Sequence, residues 1–131
     1  YARELGIEKE IRFVGQVPDP EHYLCAMDCF VLPSRFEGLG YVVIEAAATG
    51  LHSFVSDVLP EEAIISGMVE TFPLDADPKA LAAKILSLKQ DRLPRTGQRA
   101  LLEKLGYGLE TQIKTMEAIY DTAGSGQNTF H

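Results

Sequence analysis

The chain has 131 residues, of which 46% are hydrophobic and 24% charged, proportions that exclude a disordered or fibrous class. Its net charge of −7, without a basic stripe interleaved with aromatic residues, argues against nucleic acid as a partner. No apolar run approaches the roughly 20 residues that a membrane-spanning helix requires. The composition therefore predicts one folded domain with a sizeable core.

Short apolar runs alternate with helical patterns over residues 1–75. The opening sequence YARELGIEKE is typical of a helix that began earlier, so we expect the chain to be part of a longer protein. The runs that are rich in β-branched and aromatic residues predict strands at 11–17, 29–34, 51–58 and 68–74. The segments between them predict helices at 21–28, 41–49 and 60–66. This alternation indicates right-handed βαβ units and an α/β fold with a parallel sheet.

From Asp77 onward the pattern becomes helical. Apolar residues three and four apart predict amphipathic helices at 77–89, 94–105 and 108–123, and we expect these helices to pack around the sheet. Residues 1–123 would then form one domain that is incomplete at its N-terminus. Residues 124–131 would form a flexible tail.

The cysteines and histidines have structural interpretations. Cys25 and Cys29 are four positions apart, which is neither the C-x-x-C redox form nor half of a zinc site with a second pair. We interpret them as small buried thiols, and the lack of a disulfide framework favours a reducing cytoplasm. We also interpret His22 and His52 as structural residues.

The loop SRFEGLG (34–40) is the candidate ligand site, because it follows a predicted buried strand and precedes a helix. Ligands of open α/β sheets bind beyond the carboxyl ends of the strands. Gly38 and Gly40 would let the backbone approach a ligand closely. The first N–H groups of the helix, near residues 39–42, would favour a phosphate.

Two glutamates accompany this loop. Glu45 lies five residues beyond Gly40, about 7 Å along the helix axis. Helix 41–49 is apolar on almost every side and is therefore predicted to be buried, which makes a lone carboxylate costly unless a partner satisfies it. Ribose hydroxyls could do so, or Glu45 could cap or salt-bridge a neighbour inside the fold, and both alternatives stay open. Glu37 could either complement the helix dipole or contact the hydroxyls of a bound sugar.

The stretch PSRFEGLGYVVIEAAATG (33–50) resembles the E-x7-E signature of retaining glycosyltransferases of family 4, which contain two Rossmann-like domains in the GT-B fold. RFVGQV, MDCFVLPS, SFVSD and MEAIY support it in the same order. The resemblance extends from about residue 10 to residue 122. It implies that the chain is the C-terminal half of a GT-B architecture, with a Rossmann-like parallel sheet flanked by helices.

The resemblance also implies roles for individual residues. Glu37 would be the catalytic glutamate that contacts the transferred sugar, and Glu45 would bind the ribose hydroxyls of the donor. The other implied donor contacts are the backbone groups at Gly38, Leu39, Gly40, Gln16 and Val17. No metal site and no cofactor are implied, since the nucleotide sugar is a substrate and transfer in this family does not depend on a metal.

Two segments depart from the family pattern. Gly50-Leu51-His52 replaces the usual Gly-x-Pro, and SDVLPEEA (56–63) replaces a glycine-rich turn. The second form resembles the subset of the family that builds exopolysaccharide or capsule. The basic residues that neutralise the leaving diphosphate would lie before residue 1, which fits the 13 acidic and 4 basic side chains of residues 1–75.

The function implied by the resemblance is transfer of a hexose-type sugar from a nucleoside diphosphate sugar to a glycan or lipid-linked acceptor. The acceptor would bind through an N-terminal domain outside this chain, so the chain alone would be inactive. We expect a cytoplasmic enzyme that can associate peripherally with the inner face of the membrane. The alternatives are a nucleotide-sugar 2-epimerase and a non-catalytic α/β module that binds a protein through the same surface.

Overall fold

The structure is a computed structural model that describes residues 1–65, 67–88, 95 and 98–125. Within these residues the strands are β1 (Phe30–Leu32), β2 (Ser53–Ser56) and β3 (Val69–Phe72). They form one parallel sheet in the order β1-β2-β3, with Phe30 opposite Ser53 and Ser53 opposite Val69. The predicted parallel sheet and α/β class are therefore confirmed.

The helices follow the predicted order, with somewhat different ends. The α-helices are α1 (Pro20–Ala26), α2 (Tyr41–Ala48), α3 (Pro78–Leu88), α4 (Arg99–Lys104) and α5 (Leu109–Ser125). Two short 3₁₀ helices cover Glu8–Glu10 and Glu61–Ala63. Helix α5 includes Gly124 and Ser125, and the remainder of the predicted tail lies outside the described residues.

Helix α2 is closed at both ends by glycines in the left-handed conformation. Gly40 precedes it with φ 71°, and Gly50 follows it with φ 71°. The N–H of Gly50 bonds to the Ala47 carbonyl and that of Leu51 to the Ala46 carbonyl, which is the Schellman motif. Thr49 is the C-cap residue, and Gly50 follows it and ends the helix.

The core lies between α2 and the sheet. Its buried side chains come from α2, from β2 and β3, from the segment after β2 and from α4. They are Val43, Ile44, Ala47, Val55, Leu59, Ala63, Ile65, Val69 and Leu102. A second cluster, Leu24, Ala46 and Leu51, packs α1 against α2. The core thus holds α2 in a fixed position relative to the strands.

The first seventeen residues differ from the prediction. Residues 1–6 form turns, the only helix before α1 in the described chain is the 3₁₀ helix, and residues 11–17 are irregular rather than a strand. The side chains of Ile11, Phe13 and Val14 are exposed. A strand needs a neighbouring strand to satisfy its backbone, and no described strand pairs with this segment. The predictions of an opening α-helix and a strand at 11–17 are wrong.

The C-terminal helices pack less than predicted. Leu102 of α4 reaches the core, and Leu81 and Ile85 of α3 are half-buried. Every residue of α5 from 109 to 122 is exposed. The prediction that the helical end packs around the sheet is therefore wrong for α5. The helix predicted at 94–105 begins at Arg99, and residues 94, 96 and 97 lie outside the described chain.

The cysteines are less buried than predicted. Cys25 is exposed, so its interpretation as a buried thiol is wrong, whereas Cys29 is half-buried. Burial raises the pKa of the Cys29 thiol, and the charge of Asp28 raises it further.

The structural interpretation of His52 fits its contacts. His52 Nε2 lies 3.0 Å from Glu70 Oε1, which links the start of β2 to β3. Glu70 also forms an ion pair with Lys84 of α3. The His52 ring lies 5.3 Å from the buried ring of Phe54, measured between ring centroids. His52 thus connects the beginning of β2 to β3, at the end of the sheet opposite to the candidate loop.

Candidate functional site

The candidate site lies at the carboxyl edge of the sheet. Residues 33–40 leave β1 there and lead into α2, and residues 57–60 leave β2 at the same edge. Since all three strands are parallel, the loops that follow them lie together at this edge. The candidate loop 34–40 therefore has a second loop of the same domain as its neighbour.

A pair of serines fixes the beginning of the candidate loop. Ser56, the last residue of β2, is buried, and its Oγ donates a hydrogen bond of 2.5 Å to the carbonyl of Ser34. The Oγ of Ser34 donates a bond of 2.9 Å to the carbonyl of Phe36, the residue before Glu37. Two hydroxyl groups thus connect the end of β2 to the peptide that carries Glu37.

Gly40 fixes the end of the loop. Its backbone is left-handed, and a Cβ atom at this position would lie 2.6 Å from Leu59 Cδ1. Leu59 is buried and belongs to the turn that follows β2. The backbone conformation therefore favours glycine at position 40, and a larger residue would also require the Leu59 side chain to shift.

Gly38 has no such internal requirement. Its φ lies outside the left-handed range, and a Cβ atom built there would find no other atom within 4 Å. The next residue, Leu39, packs partly against the core. The loop is thus anchored by a side chain beside Gly38, while Gly38 itself faces open space.

Glu45 is exposed, contrary to the predicted burial. Tyr41, Glu45 and Ala48 are the exposed residues of α2, whereas Val43, Ile44, Ala46 and Ala47 are buried. The exposed positions are four and three apart, so they occupy one face of the helix. The prediction of a lone buried carboxylate is wrong, because α2 has one solvent face and Glu45 lies on it.

The two glutamates of the motif have free carboxylates. Glu37 is half-buried in the loop and Glu45 is exposed. In the part of the chain that the structure describes, neither carboxylate accepts a hydrogen bond or forms an ion pair. Glu45 therefore forms no internal salt bridge with another described residue, although the sequence allowed one. Both groups can accept hydrogen bonds from a ligand.

Helix α2 contributes a partial positive charge to the same place. Gly40 is its N-cap and provides no side-chain hydrogen bond, so the first N–H groups of the helix are not capped by that residue. The aligned peptide dipoles favour an anion at this end. The site therefore combines N–H donors for an anionic group with carboxylates that suit hydroxyl groups.

Gln16 and Val17, the predicted base contacts, are not part of the sheet. Gln16 is exposed and Val17 half-buried, and both lie in the irregular segment before α1. No described strand carries them to the carboxyl edge. The structure thus brings residues 37–40 together with α2. It does not position Gln16 and Val17 through a strand of the same sheet.

Ser34 belongs to the candidate loop, but the sequence does not predict that Ser34, Ser56 and Leu59 anchor this loop. The signal for Ser56 was a hydroxyl residue at the carboxyl end of an otherwise apolar strand, directly before the second loop. The contact of Leu59 with Gly40 had no signal of its own, because it depends on how two loops meet in three dimensions.

Two other features lie away from the candidate loop. A cavity of about 390 Å³ is found at the opposite end of α2, where Ala48 faces residues of α4 and its following turn. Across the described ranges, no group of three or more His, Cys, Asp or Glu side chains could hold a metal ion. None of the helices that the structure describes is long and apolar enough to cross a membrane.

A parallel sheet with a glycine-containing loop and a helix N-terminus at its carboxyl edge defines an α/β domain of the Rossmann-like class. A sequence model of the family described as "Glycosyl transferases group 1" matches residues 1–91. The chain belongs to this family, and the predicted resemblance to a glycosyltransferase is confirmed at that level.

Curated relatives are bacterial polysaccharide enzymes. The chain is 29% identical over 123 residues to the lipopolysaccharide core biosynthesis mannosyltransferase LpsB of Rhizobium meliloti (strain 1021), covering 89% of this chain and 35% of LpsB. It is 39% identical over 85 residues to the O-antigen chain mannosyltransferase B of Escherichia coli, covering 62% of this chain and 22% of that protein.

A third relative is the UDP-Gal:alpha-D-GlcNAc-diphosphoundecaprenol alpha-1,3-galactosyltransferase of Escherichia coli. It is 29% identical over 75 residues, which cover 57% of this chain and 19% of that protein. The chain thus spans about a third or less of the length of these relatives. No solved structure matches the chain significantly.

Proposed function

We propose that this chain is the donor-binding domain of a retaining glycosyltransferase of the E-x7-E type. The enzyme would transfer a sugar from a nucleoside diphosphate sugar to a glycan or lipid-linked acceptor in bacterial polysaccharide synthesis. The observation that carries the proposal is that Glu37, in the loop at the carboxyl edge of the sheet, and Glu45, on the solvent face of the helix that follows, have no partner among the described residues. Membership of the glycosyltransferase family favours sugar transfer over epimerisation or a purely protein-binding role.

We assign the roles of the two carboxylates from the E-x7-E resemblance, and their positions are compatible with these roles. Glu45 lies on the solvent face of α2, where its oxygens can accept hydrogen bonds from the two hydroxyls of a ribose. Glu37 lies in the loop that precedes the helix and would orient the transferred sugar. Glutamate suits both roles because a carboxylate accepts several hydrogen bonds and donates none.

The diphosphate would lie between these two contacts. The N–H groups of Gly38, Leu39 and Gly40 and the N-terminus of α2 can donate hydrogen bonds to it. Gly38 is open to solvent, so its backbone can approach a phosphate without obstruction. A helix terminus contributes only about 0.3 to 1 kcal/mol at an exposed site, so we expect basic side chains outside this chain to neutralise most of the diphosphate charge.

In this proposal the protein positions the donor and stabilises the leaving diphosphate, and it supplies no nucleophile. The acceptor attacks the anomeric carbon from the face that the diphosphate leaves, which retains the configuration. Positioning and electrostatic stabilisation together account for most of the catalysis in such a mechanism. Neither a metal ion nor an organic cofactor has a step in it.

The donor and acceptor classes are supported by the names of the relatives. The galactosyltransferase of Escherichia coli is named for UDP-Gal as donor and a diphosphoundecaprenol-linked sugar as acceptor. Two other relatives are named as mannosyltransferases. We therefore propose a nucleotide sugar as donor and an acceptor bound largely outside this chain, at the inner face of the cytoplasmic membrane.

The proposal is tested by calorimetric titration of the full-length protein with UDP, UDP-glucose and GDP-mannose. Glu45→Gln should weaken the preferred nucleotide about tenfold, because the variant loses the charge that strengthens bonds from the ribose hydroxyls. Glu117→Gln is the matched control, since it makes the same change at an exposed position of helix α5.

Saturable binding of one nucleotide that Glu45→Gln weakens and Glu117→Gln preserves would support the donor site. Equal binding by all three proteins would contradict the role of Glu45. If the full-length protein binds none of the three nucleotides, the assignment of a donor site to this domain fails.

A further inference from the structure

Strand β2 begins and ends with a buried serine, and the two hydroxyls have different partners. Ser53 is fully buried and its Oγ bonds locally, at 3.5 Å, to the carbonyl of Leu51. Ser56 is 1% exposed and its Oγ bonds at 2.5 Å to the carbonyl of Ser34, which is 22 residues away in the chain. Of these two bonds, only the one from Ser56 connects the end of β2 to the loop that follows β1.

We propose that Ser56 is a positioning residue that holds the loop 34–40 in the geometry needed to bind and orient the sugar of the donor. The inference rests on the proposed function, in which Glu37 contacts that sugar. Ser56 acts through the backbone of Ser34 and touches no substrate itself.

The bond from Ser56 acts at the point where the loop leaves the sheet. β1 ends at Leu32, so Ser34 is the second residue beyond the ladder that fixes β1 to β2. Without the Ser56 hydroxyl, the Ser34 carbonyl would lose the contact that ties it to β2. Since Ser56 is buried, water cannot readily replace that hydroxyl as a donor.

A second hydrogen bond connects Ser34 to the peptide group that precedes Glu37. The Oγ of Ser34 donates to the carbonyl of Phe36, and Phe36 is joined directly to Glu37 by that peptide group. Fixing this carbonyl fixes the plane of the peptide from which the Glu37 side chain departs. The far end of the loop is fixed separately by the contact between Gly40 and Leu59. Ser56 therefore controls the half of the loop that carries Glu37, and leaves α2 and Glu45 in place.

Limited proteolysis measures the anchoring without requiring activity. Trypsin can cleave the loop after Arg35, and it can cleave after Arg12, which is also exposed and also followed by phenylalanine. In the full-length protein, Ser56→Ala should raise the rate of cleavage after Arg35 about fivefold, while cleavage after Arg12 stays unchanged. Ser53→Ala is the matched control, because it removes the other buried hydroxyl of β2, and it should leave both rates unchanged.

Steady-state kinetics and titration with the free nucleotide measure the functional consequence. Ser56→Ala should lower kcat/KM for the nucleotide sugar about fivefold, mostly in kcat, because Glu37 is then poorly placed in the transition state. The Kd of the bare nucleoside diphosphate should change by less than about twofold, because ribose binding through Glu45 does not depend on the serine contact. Ser34→Ala, which removes only the bond to Phe36, should show a smaller effect of the same kind.

The outcomes separate the two proposals. Faster cleavage after Arg35 alone, with reduced kcat and unchanged nucleotide binding, supports Ser56 as a positioning residue. An equal rise in cleavage at Arg12 and Arg35, or equal effects of Ser53→Ala, shows a general loss of stability and overturns it. A full-length protein that binds no nucleotide sugar overturns the proposed function, whereas the comparison of Ser56→Ala with Ser53→Ala by trypsin still decides whether Ser56 anchors the loop.

Discussion

The backbone of Gly40 lies against the side chain of Leu59, so closely that a Cβ atom at position 40 would lie 2.6 Å from Leu59 Cδ1. This contact joins the loop that follows β1 to the turn that follows β2. Together with the bond from Ser56 to Ser34, it makes the position of the candidate loop depend on residues 56–59. Substitutions in this region should therefore separate effects on folding from effects on the ligand site.

Gly40→Ala should destabilise the protein strongly. An alanine in the left-handed conformation costs about 1 to 2 kcal/mol, and overpacking against the buried Leu59 adds about 1 to 3 kcal/mol. We expect the free energy of unfolding to fall by about 2 to 5 kcal/mol in a urea titration.

A double-mutant cycle separates the two causes. Leu59→Ala alone should cost about 2 to 5 kcal/mol, but less when combined with Gly40→Ala, because the smaller side chain makes room for the new methyl group. Strict additivity of the two substitutions would contradict the contact. The cost of Gly40→Ala measured in the Leu59→Ala background reports the strain of the backbone.

Gly38→Ala, unlike Gly40→Ala, should weaken ligand binding without lowering stability. No atom lies within 4 Å of the added Cβ and the backbone is not left-handed, so stability should be unchanged or rise by up to about 1 kcal/mol. The methyl group would occupy the space through which a diphosphate approaches the loop, and we expect about tenfold weaker binding of the nucleotide sugar. Calorimetric titration beside urea unfolding tests both parts, and undiminished binding would show that the donor does not approach Gly38.

Arg95 should contribute to stability through the end of α1. Its guanidinium donates to the carbonyls of Cys25 at 2.6 Å and Leu24 at 3.3 Å, in the last turn of that helix. A cation that bonds to the last carbonyls also complements the helix dipole. Arg95→Met should lower the free energy of unfolding by about 1 to 2 kcal/mol. Arg95→Lys should lower it by less, because lysine keeps the charge and can donate to one carbonyl, although it cannot span both.

An exposed arginine provides the control for Arg95. Arg12 has no hydrogen bond or ion pair to another described residue, so Arg12→Met should change the unfolding free energy by no more than about 0.5 kcal/mol. Urea unfolding of the three variants and wild type gives the comparison. Similar losses for Arg12→Met and Arg95→Met would show that net charge, rather than the contact with α1, is responsible.

The sequence predicts correctly those elements that depend only on local patterns of apolar and turn residues. The strands β1, β2 and β3 are short apolar runs bounded by turn residues, and α2 is followed by Gly50, a residue type that commonly ends helices. Residues 11–17 have an equally good strand pattern, but a strand also requires a neighbour, and a sequence pattern does not supply one. In the same way, the apolar residues of α5 predict a helix without specifying what covers its apolar face.

The candidate site was predictable in its residues and only partly in its geometry. The glycine-containing loop and the E-x7-E spacing identify Glu37 and Glu45, but the apolar sequence around Glu45 predicts burial on all sides, which is wrong. Helical periodicity places Tyr41, Glu45 and Ala48 on one face, and the structure shows that this face is exposed. The anchors at Ser56 and Leu59 could not be predicted, because they depend on how two loops pack together.

The ion-pair cluster around Glu70 should make stability depend on acid pH. The hydrogen bond from Lys84, together with the charge of Lys84 and the bond to His52, lowers the pKa of Glu70 below its ordinary value of 4.5, although desolvation opposes the shift. Because the folded-state pKa is lowered, this stabilisation is fully present above pH 4.5 and is lost as the pH falls through the folded-state pKa. Glu70→Gln should therefore be less stable than wild type in urea unfolding at neutral pH, and the difference should disappear well below pH 4.5. In a protein that already carries Lys84→Met, Glu70→Gln should cause much less loss of stability at neutral pH. If wild type and Glu70→Gln still differ by the same amount in acid, the charge of the carboxylate is not the cause of the difference.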